Sequence, residues 1–225
     1  MKHLIVIFAI FISASTFAQD ALEKKVGDFS ILKVYDLIHV ELVKSDENKV
    51  TITGGNSNDV VINNKNGTLK IKMNLEESFD GNKTKVILYY TSIDVIDVNE
   101  GAKVTSKETI KQFEMDLKAQ EGGQIDVSLD VSYTNVKSVT GGVITTTGRS
   151  KKQKINIFTG GEYLGKALET EDTEVSIKAA GEAHINATNL ADIKIRVGGD
   201  VFVYGNPENV NESKVIGGRI KHIKS

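Results

Sequence analysis

The chain has 225 residues, 28 basic and 30 acidic side chains, a formal net charge of −2 and no cysteine. The lack of cysteine excludes a disulfide framework and any metal site built on thiolates. The nearly balanced charge, with both signs interspersed, is not that of a nucleic-acid-binding protein. The length allows one domain or two small ones.

The first residues, MKHLIVIFAIFISASTFAQ, have the pattern of a secretory signal peptide. A short basic start precedes the apolar run Leu4–Ile12, which is too short to span a membrane. Small side chains stand before the expected cleavage site after Ala18 or Gln19. We therefore predict that residues 1–19 are removed on export and that the mature chain, 20–225, has no membrane span. Its expected location is the periplasm, the cell surface or the medium.

Short strands are predicted before residue 100. Apolar and polar residues alternate there with a period of two, which is typical of strands with one buried face. These stretches are Ile38–Leu42, Val50–Thr53, Leu69–Met73 and Val86–Tyr90. Their spacing is uneven, so residues 29–100 are expected to form opening coils or a cap that covers a strand edge.

A glycine pair recurs from residue 101 onward. The pairs, two of them altered by alanine, begin at positions 101, 122, 141, 160, 180, 198 and 217, which are 18 to 21 residues apart. Such a period is the signature of a solenoid. The glycines assigned to its corners are Gly101, Gly122, Gly123, Gly141, Gly142, Gly160, Gly161, Gly181, Gly198, Gly199, Gly217 and Gly218.

The residues on either side of each pair alternate in the same register. Apolar residues that point inward alternate with polar residues that point outward. Examples are Ile155 and Ile157 before one pair, and Ile193 and Ile195 before another. Glycine at the corner allows backbone angles closed to other residues and close approach of successive coils. We predict a single-domain, all-β, right-handed parallel β-helix (β-solenoid) of about 19 residues per coil. The alternative is that the pairs are hairpin turns of an antiparallel barrel.

The order of these segments resembles a known bacterial family, the putative auto-transporter adhesins with a head GIN domain, a domain of unknown function. The resemblance covers most of the mature chain and implies an exported β-helical protein. The matching segments are Phe29–Val34, Ile38–Leu42, Val50–Gly54, Asn66–Ile71, Val98–Val104, the repeated glycine pairs, Tyr204–Pro207 and Gly217–Ile220.

No catalytic, metal or cofactor site is evident in the pattern. His39 and His184 fall at outward strand positions and His222 falls in an inward column of the last coil. None has another histidine or a carboxylate at metal-ligand spacing on the same strand face, so neither a metal nor a cofactor is predicted. Equivalent outward positions after the pairs carry a mixed column, in which Glu162 and Asp200 do not form an evident acid pair.

Phe202 and Tyr204 form the candidate ligand-contact face, because they are outward aromatic side chains on one strand. The expected function is that of an exported, non-enzymatic, adhesin-like module that binds an unidentified glycan or protein. One alternative is a β-helical polysaccharide lyase or glycoside hydrolase, which requires clustered acidic and basic residues in a groove. Another is a structural homo-oligomer that stacks through Phe202 and its neighbours.

Overall fold

The computed structural model describes residues 21–223, and the predicted signal peptide lies outside them. The fold is an all-β solenoid of about seven turns with roughly 19 residues per turn, in a single domain. No helix among the described residues is long and apolar enough to cross a membrane.

The N-terminal part combines coils with a cap. Its strands are β1 (Leu22–Lys25), β2 (Ile31–Val34), β3 (His39–Lys44), β4 (Lys49–Gly54), β5 (Val60–Lys65), β6 (Thr68–Met73), β7 (Thr84–Tyr90) and β8 (Val95–Val98). Two short 3₁₀ helices lie at Ser57–Asp59 and Gly81–Lys83. The spatial order of the coils differs from the chain order. β2 pairs in parallel with both β6 and β8, and β3 pairs in parallel with both β7 and β9 (Lys103–Gln120).

Antiparallel strands cover this end of the stack. β4 pairs antiparallel with β7, β5 pairs antiparallel with β6, and β1 pairs antiparallel with β4. Residues 29–100 therefore contain both coils and a cap, the two structures that the sequence left open. The coils include β2, β3, β6 and β7, and the cap strands β4 and β5 run antiparallel to their neighbours and so end the parallel stack. These antiparallel strands cover the N-terminal end of the parallel stack, and β1 and β5 form the edges of the sheet there.

The regular part runs from residue 103. Its strands are β9 (Lys103–Gln120), β10 (Gln124–Val139), β11 (Val143–Phe158), β12 (Glu162–Ile177), β13 (Glu182–Val197), β14 (Asp200–Tyr204), β15 (Asn209–Ile216) and β16 (Arg219–His222). From β9 to β13 each strand pairs in parallel with the next. This parallel register excludes the antiparallel-barrel alternative, since hairpin turns would join antiparallel neighbours.

Most corners have two glycines because one position requires a positive φ and the next lies too close to the neighbouring coil for a side chain. Glu121 and Gly122 have φ of 51° and 75°, and Gly123 N donates a hydrogen bond to Gln120 O at 2.8 Å. The first glycine thus occupies the left-handed region that a tight corner requires. The second has no room for a side chain, because a Cβ on Gly123 would overlap the Val98 carbonyl of the coil below.

The core is one continuous cluster of apolar residues along the solenoid axis. The predicted inward columns are buried up to Val203, including Ile155, Ile157, Ile193 and Ile195. In the last coil Ile220 is only partly buried and His222 is exposed. The columns begin in the N-terminal coils with residues such as Leu32 and continue to Val203. Burial of these columns by stacked coils is what stabilises a repeat that cannot enclose a core alone.

Candidate functional site

The predicted contact face, Phe202 and Tyr204, lies on β14 and points outward. The strand register places His184 and Lys221 next to Phe202, on the coils on either side of it. The rings of His184 and Phe202 are stacked with centroids 4.5 Å apart, and Lys221 Nζ lies 5.0 Å from the Phe202 centroid. Both faces of the Phe202 ring therefore already have partners within the protein, and none is left open to a sugar ring.

Tyr204 is engaged in a similar way. Its hydroxyl lies 3.2 Å from His184 Nδ1, and Lys166 Nζ lies 5.0 Å from its ring centroid. His184 Nε2 is 2.7 Å from a carboxylate oxygen of Glu182. The expectation that no histidine has a carboxylate at metal-ligand spacing on its strand face is therefore wrong for His184, and also for His39 with Glu41, because residues two apart on a strand point to the same side. These contacts join neighbouring coils into a ladder.

His222 also has a carboxylate partner, although on another strand. Its Nε2 lies 2.8 Å from Glu212 Oε1, and its register partner is the buried Val203. The predicted inward column is thus correct, but His222 is exposed because no further coil covers it. Within residues 21–223 there is no group of three or more His, Cys, Asp or Glu side chains that could hold a metal ion.

A second surface, at the bend in the middle of each long strand, offers more to a ligand. The register sets Lys111, Asp130, Arg149 and Glu169 in one column across four coils, with alternating charge. Arg149 donates to both carboxylate oxygens of Asp130, at 2.6 Å and 3.0 Å. The hydrogen bonds from Arg149 hold the pKa of the Asp130 carboxyl below its usual range. The pair is exposed, so it stabilises the fold little and is free to exchange partners with a ligand.

Three members of this column, Asp130, Arg149 and Glu169, line a groove of about 490 Å³, which we call the bend groove. The side chains that line it are charged or carry hydroxyl or amide groups, apart from one valine. They are Gln112, Asp130, Val131, Ser132, Arg149, Ser150, Lys151, Glu169, Thr170, Glu171 and Thr188. The groove is of the size that small-molecule sites have in other proteins and is unusually polar for such a site.

An exposed aromatic pair flanks the bend groove. Phe113 is 69% exposed and Tyr133 is 40% exposed, and their ring centroids are 5.2 Å apart with a tilt of 56°. Phe113 lines a neighbouring cavity of about 480 Å³, and Gln112 lines both that cavity and the bend groove. Gln112 therefore joins the cavity that Phe113 lines to the bend groove, and Tyr133 adjoins them through its ring contact with Phe113.

The wall behind the bend groove is held by buried polar contacts. Thr134 Oγ1 donates to Ser150 Oγ at 2.9 Å, and Ser150 Oγ donates to Lys152 O at 2.9 Å. Deeper inside, the hydroxyl of the fully buried Tyr163 contacts Thr146. Such a satisfied network fixes side-chain positions and so makes the groove a preformed surface.

The sequence analysis did not find Phe113, Tyr133 or Arg149. It assigned no role to Asp130. The reason is the period: Phe113 stands nine residues before Gly122, whereas Tyr133 stands eight before Gly141, so an alignment on the glycine pairs separates them. The register of β9 and β10 agrees with that alignment and pairs Tyr133 with Glu114, so the two rings meet diagonally across neighbouring coils.

The comparisons with known proteins agree with this architecture. A putative adhesin from Bacteroides fragilis NCTC 9343 is 20% identical with a TM-score of 0.83, and the match covers 91% of this chain and 96% of that one. A putative adhesin from Parabacteroides distasonis ATCC 8503 is 19% identical with a TM-score of 0.71, at the same coverage of both chains.

A third structure, described as a putative lipid binding protein from Parabacteroides distasonis ATCC 8503, is 19% identical with a TM-score of 0.65, over 91% of this chain and 96% of that one. No curated protein matches the chain. At these identities the structures establish the fold. The family described as "Putative auto-transporter adhesin, head GIN domain" matches residues 28–207, most of the chain. The chain therefore belongs to the family of putative auto-transporter adhesins with a head GIN domain.

Proposed function

We propose that this protein is an exported, non-enzymatic, adhesin-like module that binds a glycan of little net charge in the bend groove. The observation that carries the proposal is the exposed Phe113–Tyr133 pair beside a groove of polar side chains. A sugar presents hydroxyl groups and an apolar face of C–H bonds. The groove has donors and acceptors for the hydroxyl groups, and the open rings have π faces for the apolar side.

The balance of charge in the groove favours a neutral ligand. Two basic side chains, Arg149 and Lys151, line the groove together with three acidic ones, Asp130, Glu169 and Glu171, a formal net charge of −1, so no strong net field selects an anion or a cation. Recognition then depends on directed hydrogen bonds, for which the bidentate Arg149–Asp130 geometry is well suited.

The test is a binding screen of the purified protein against neutral and anionic polysaccharides, followed by calorimetry on the strongest hit. We expect Phe113→Ala and Arg149→Gln each to raise the dissociation constant about tenfold or more. A tenfold rise corresponds to a loss of about 1.4 kcal/mol of binding free energy. Both side chains are exposed, so these variants should fold as the original does. The bound polysaccharide should keep its chain length on prolonged incubation, since the proposed role is non-enzymatic.

The matched control is Tyr204→Phe together with Phe202→Leu, which alters the other candidate face. Unchanged affinity in that control supports the bend groove. Loss of binding in the control, with affinity retained in Phe113→Ala, would move the site to Phe202 and Tyr204. A screen without any polysaccharide hit, or shortening of the bound chain, would overturn the proposal.

A further inference from the structure

The last coil of the solenoid leaves the outer edges of two strands, β15 and β16, without a neighbour among residues 21–223, and β15 is the longer of the two. β15 pairs along one edge with β13, and no strand among residues 21–223 pairs with its other edge. All eight residues of β15 are exposed. The opposite end of the molecule is treated differently, because antiparallel strands cover it and Asn64 Nδ2 donates to the carbonyls of Val26 and Asp28, both at 2.8 Å.

Charged residues end the inward columns at this edge. Glu212 follows Ile193 in register and Lys214 follows Ile195, so two buried apolar columns terminate in a carboxylate and an ammonium group. Inward-pointing charges discourage pairing with an unrelated apolar strand. They do not discourage a partner strand that carries the opposite charge at each position.

β15 is such a partner for itself. Its sequence, NVNESKVI, is nearly self-complementary about Ser213. In an antiparallel pair centred there, Glu212 lies opposite Lys214 of the second copy, and Lys214 lies opposite its Glu212. Val210 and Ile216, which are 38% and 63% exposed, lie opposite each other at the two ends. Opposite charges and apolar side chains directly across from each other stabilise antiparallel pairs.

We propose that two copies of this chain associate tail to tail by antiparallel pairing of β15 about a twofold axis at Ser213. The interface is isologous, since the same strand serves on both copies and closes the assembly at two. It continues the main-chain hydrogen bonding of the solenoid across the axis, as in recognition by strand addition. The proposal is independent of any ligand in the bend groove.

Charge exchange tests the pairing. Glu212→Lys and Lys214→Glu each place like charges opposite each other at two symmetric positions, and the double variant restores opposite charges. We expect sedimentation equilibrium to give a dimer for the original protein. The dissociation constant of the dimer should rise about tenfold or more in each single variant and return toward the original value in the double variant. A monomer at the highest soluble concentration, or equal dissociation constants in all four proteins, would overturn the proposal.

Cross-linking tests the register. The chain has no cysteine, so a single introduced one reports on its own symmetry mate. Ser213→Cys brings two cysteines together across the axis, within the Cα separation that a disulfide accepts. The control is Asn211→Cys on the same exposed strand. In the proposed pair its two cysteines are offset by four residues along the strands, which is about 14 Å. Rapid disulfide dimerisation of Ser213→Cys alone is expected, and equal rates for both variants would contradict the register.

Discussion

At the scale of single residues, Tyr163 shows how the solenoid interior accommodates a polar group. Its side chain fills the core position that apolar side chains hold in neighbouring coils, and its hydroxyl is within hydrogen-bond reach of Thr146 and Gln153. Burial raises the pKa of Tyr163 to about 12, and its two hydrogen-bond partners only partly oppose that rise. The hydroxyl must stay protonated for the core to stay packed.

This pKa predicts an alkaline loss of stability. Below about pH 10 the phenol is protonated in the folded and unfolded chains alike, so its contribution is complete. As pH rises toward 12 the unfolded chain loses the proton first, and the free energy of unfolding should fall by roughly 2–3 kcal/mol. Urea unfolding of the original protein and of Tyr163→Phe, measured at pH 8 and pH 11.5, checks this.

Other tyrosines contribute to the alkaline fall in both proteins, so the difference between the two is the relevant quantity. Tyr163→Phe should be less stable at pH 8, by about 1–3 kcal/mol, because Thr146 and Gln153 lose a buried partner. The gap should narrow at pH 11.5. A gap that stays constant would mean that the pKa of Tyr163 is the same in the folded and unfolded chains, which contradicts the prediction.

At the scale of elements, the corner depends on the different roles of its two glycines. At Gly141 φ is 70° and an added Cβ meets no atom within 4 Å, so the cost of a side chain there is one of backbone conformation. At Gly142 an added Cβ overlaps the Ala119 carbonyl of the preceding coil. That cost is one of coil spacing, and it acts on the hydrogen bonds that join two coils.

We therefore expect Gly142→Ala to destabilise the protein more than Gly141→Ala. The conformational cost of alanine at Gly141 is about 1–2 kcal/mol. The overlap at Gly142 has a packing cost of about 3 kcal/mol or more. Chemical denaturation of both variants under one set of conditions gives the comparison. Equal losses, or a larger loss in Gly141→Ala, would contradict the assignment of close approach to the second glycine.

At the scale of the whole molecule, export governs where the bend groove can meet a ligand. Membership of an adhesin family is consistent with an exported or surface protein. The leader pattern in the sequence gives a more specific expectation, since a basic start, a short apolar run and small residues before Gln19 are what a signal peptidase requires.

N-terminal analysis of the protein recovered from its own cells should therefore find a chain that begins at Gln19 or Asp20. Antibody labelling of intact and permeabilised cells then separates a surface location from a periplasmic one. Labelling of intact cells supports an adhesive role toward an external glycan, and labelling only after permeabilisation points to an envelope polysaccharide. Recovery of the chain with Met1 in place would contradict export by this route.

The sequence by itself determined the solenoid. The glycine period and the alternation beside it are local features, and stacking identical units leaves one way to bury the resulting columns. The outward position of Phe202 and Tyr204 was equally readable, because side-chain direction on a strand follows a period of two.

Only the tertiary structure decided which outward residues are free and which are occupied. Phe202 is covered by His184 and Lys221, which lie 18 and 19 residues away in the sequence. Phe113 and Tyr133 meet diagonally across neighbouring coils, although the register pairs Tyr133 with Glu114. Contacts between coils depend on exact register at every corner and bend, and a one-residue difference in repeat length, which a periodic pattern tolerates, changes which side chains face each other.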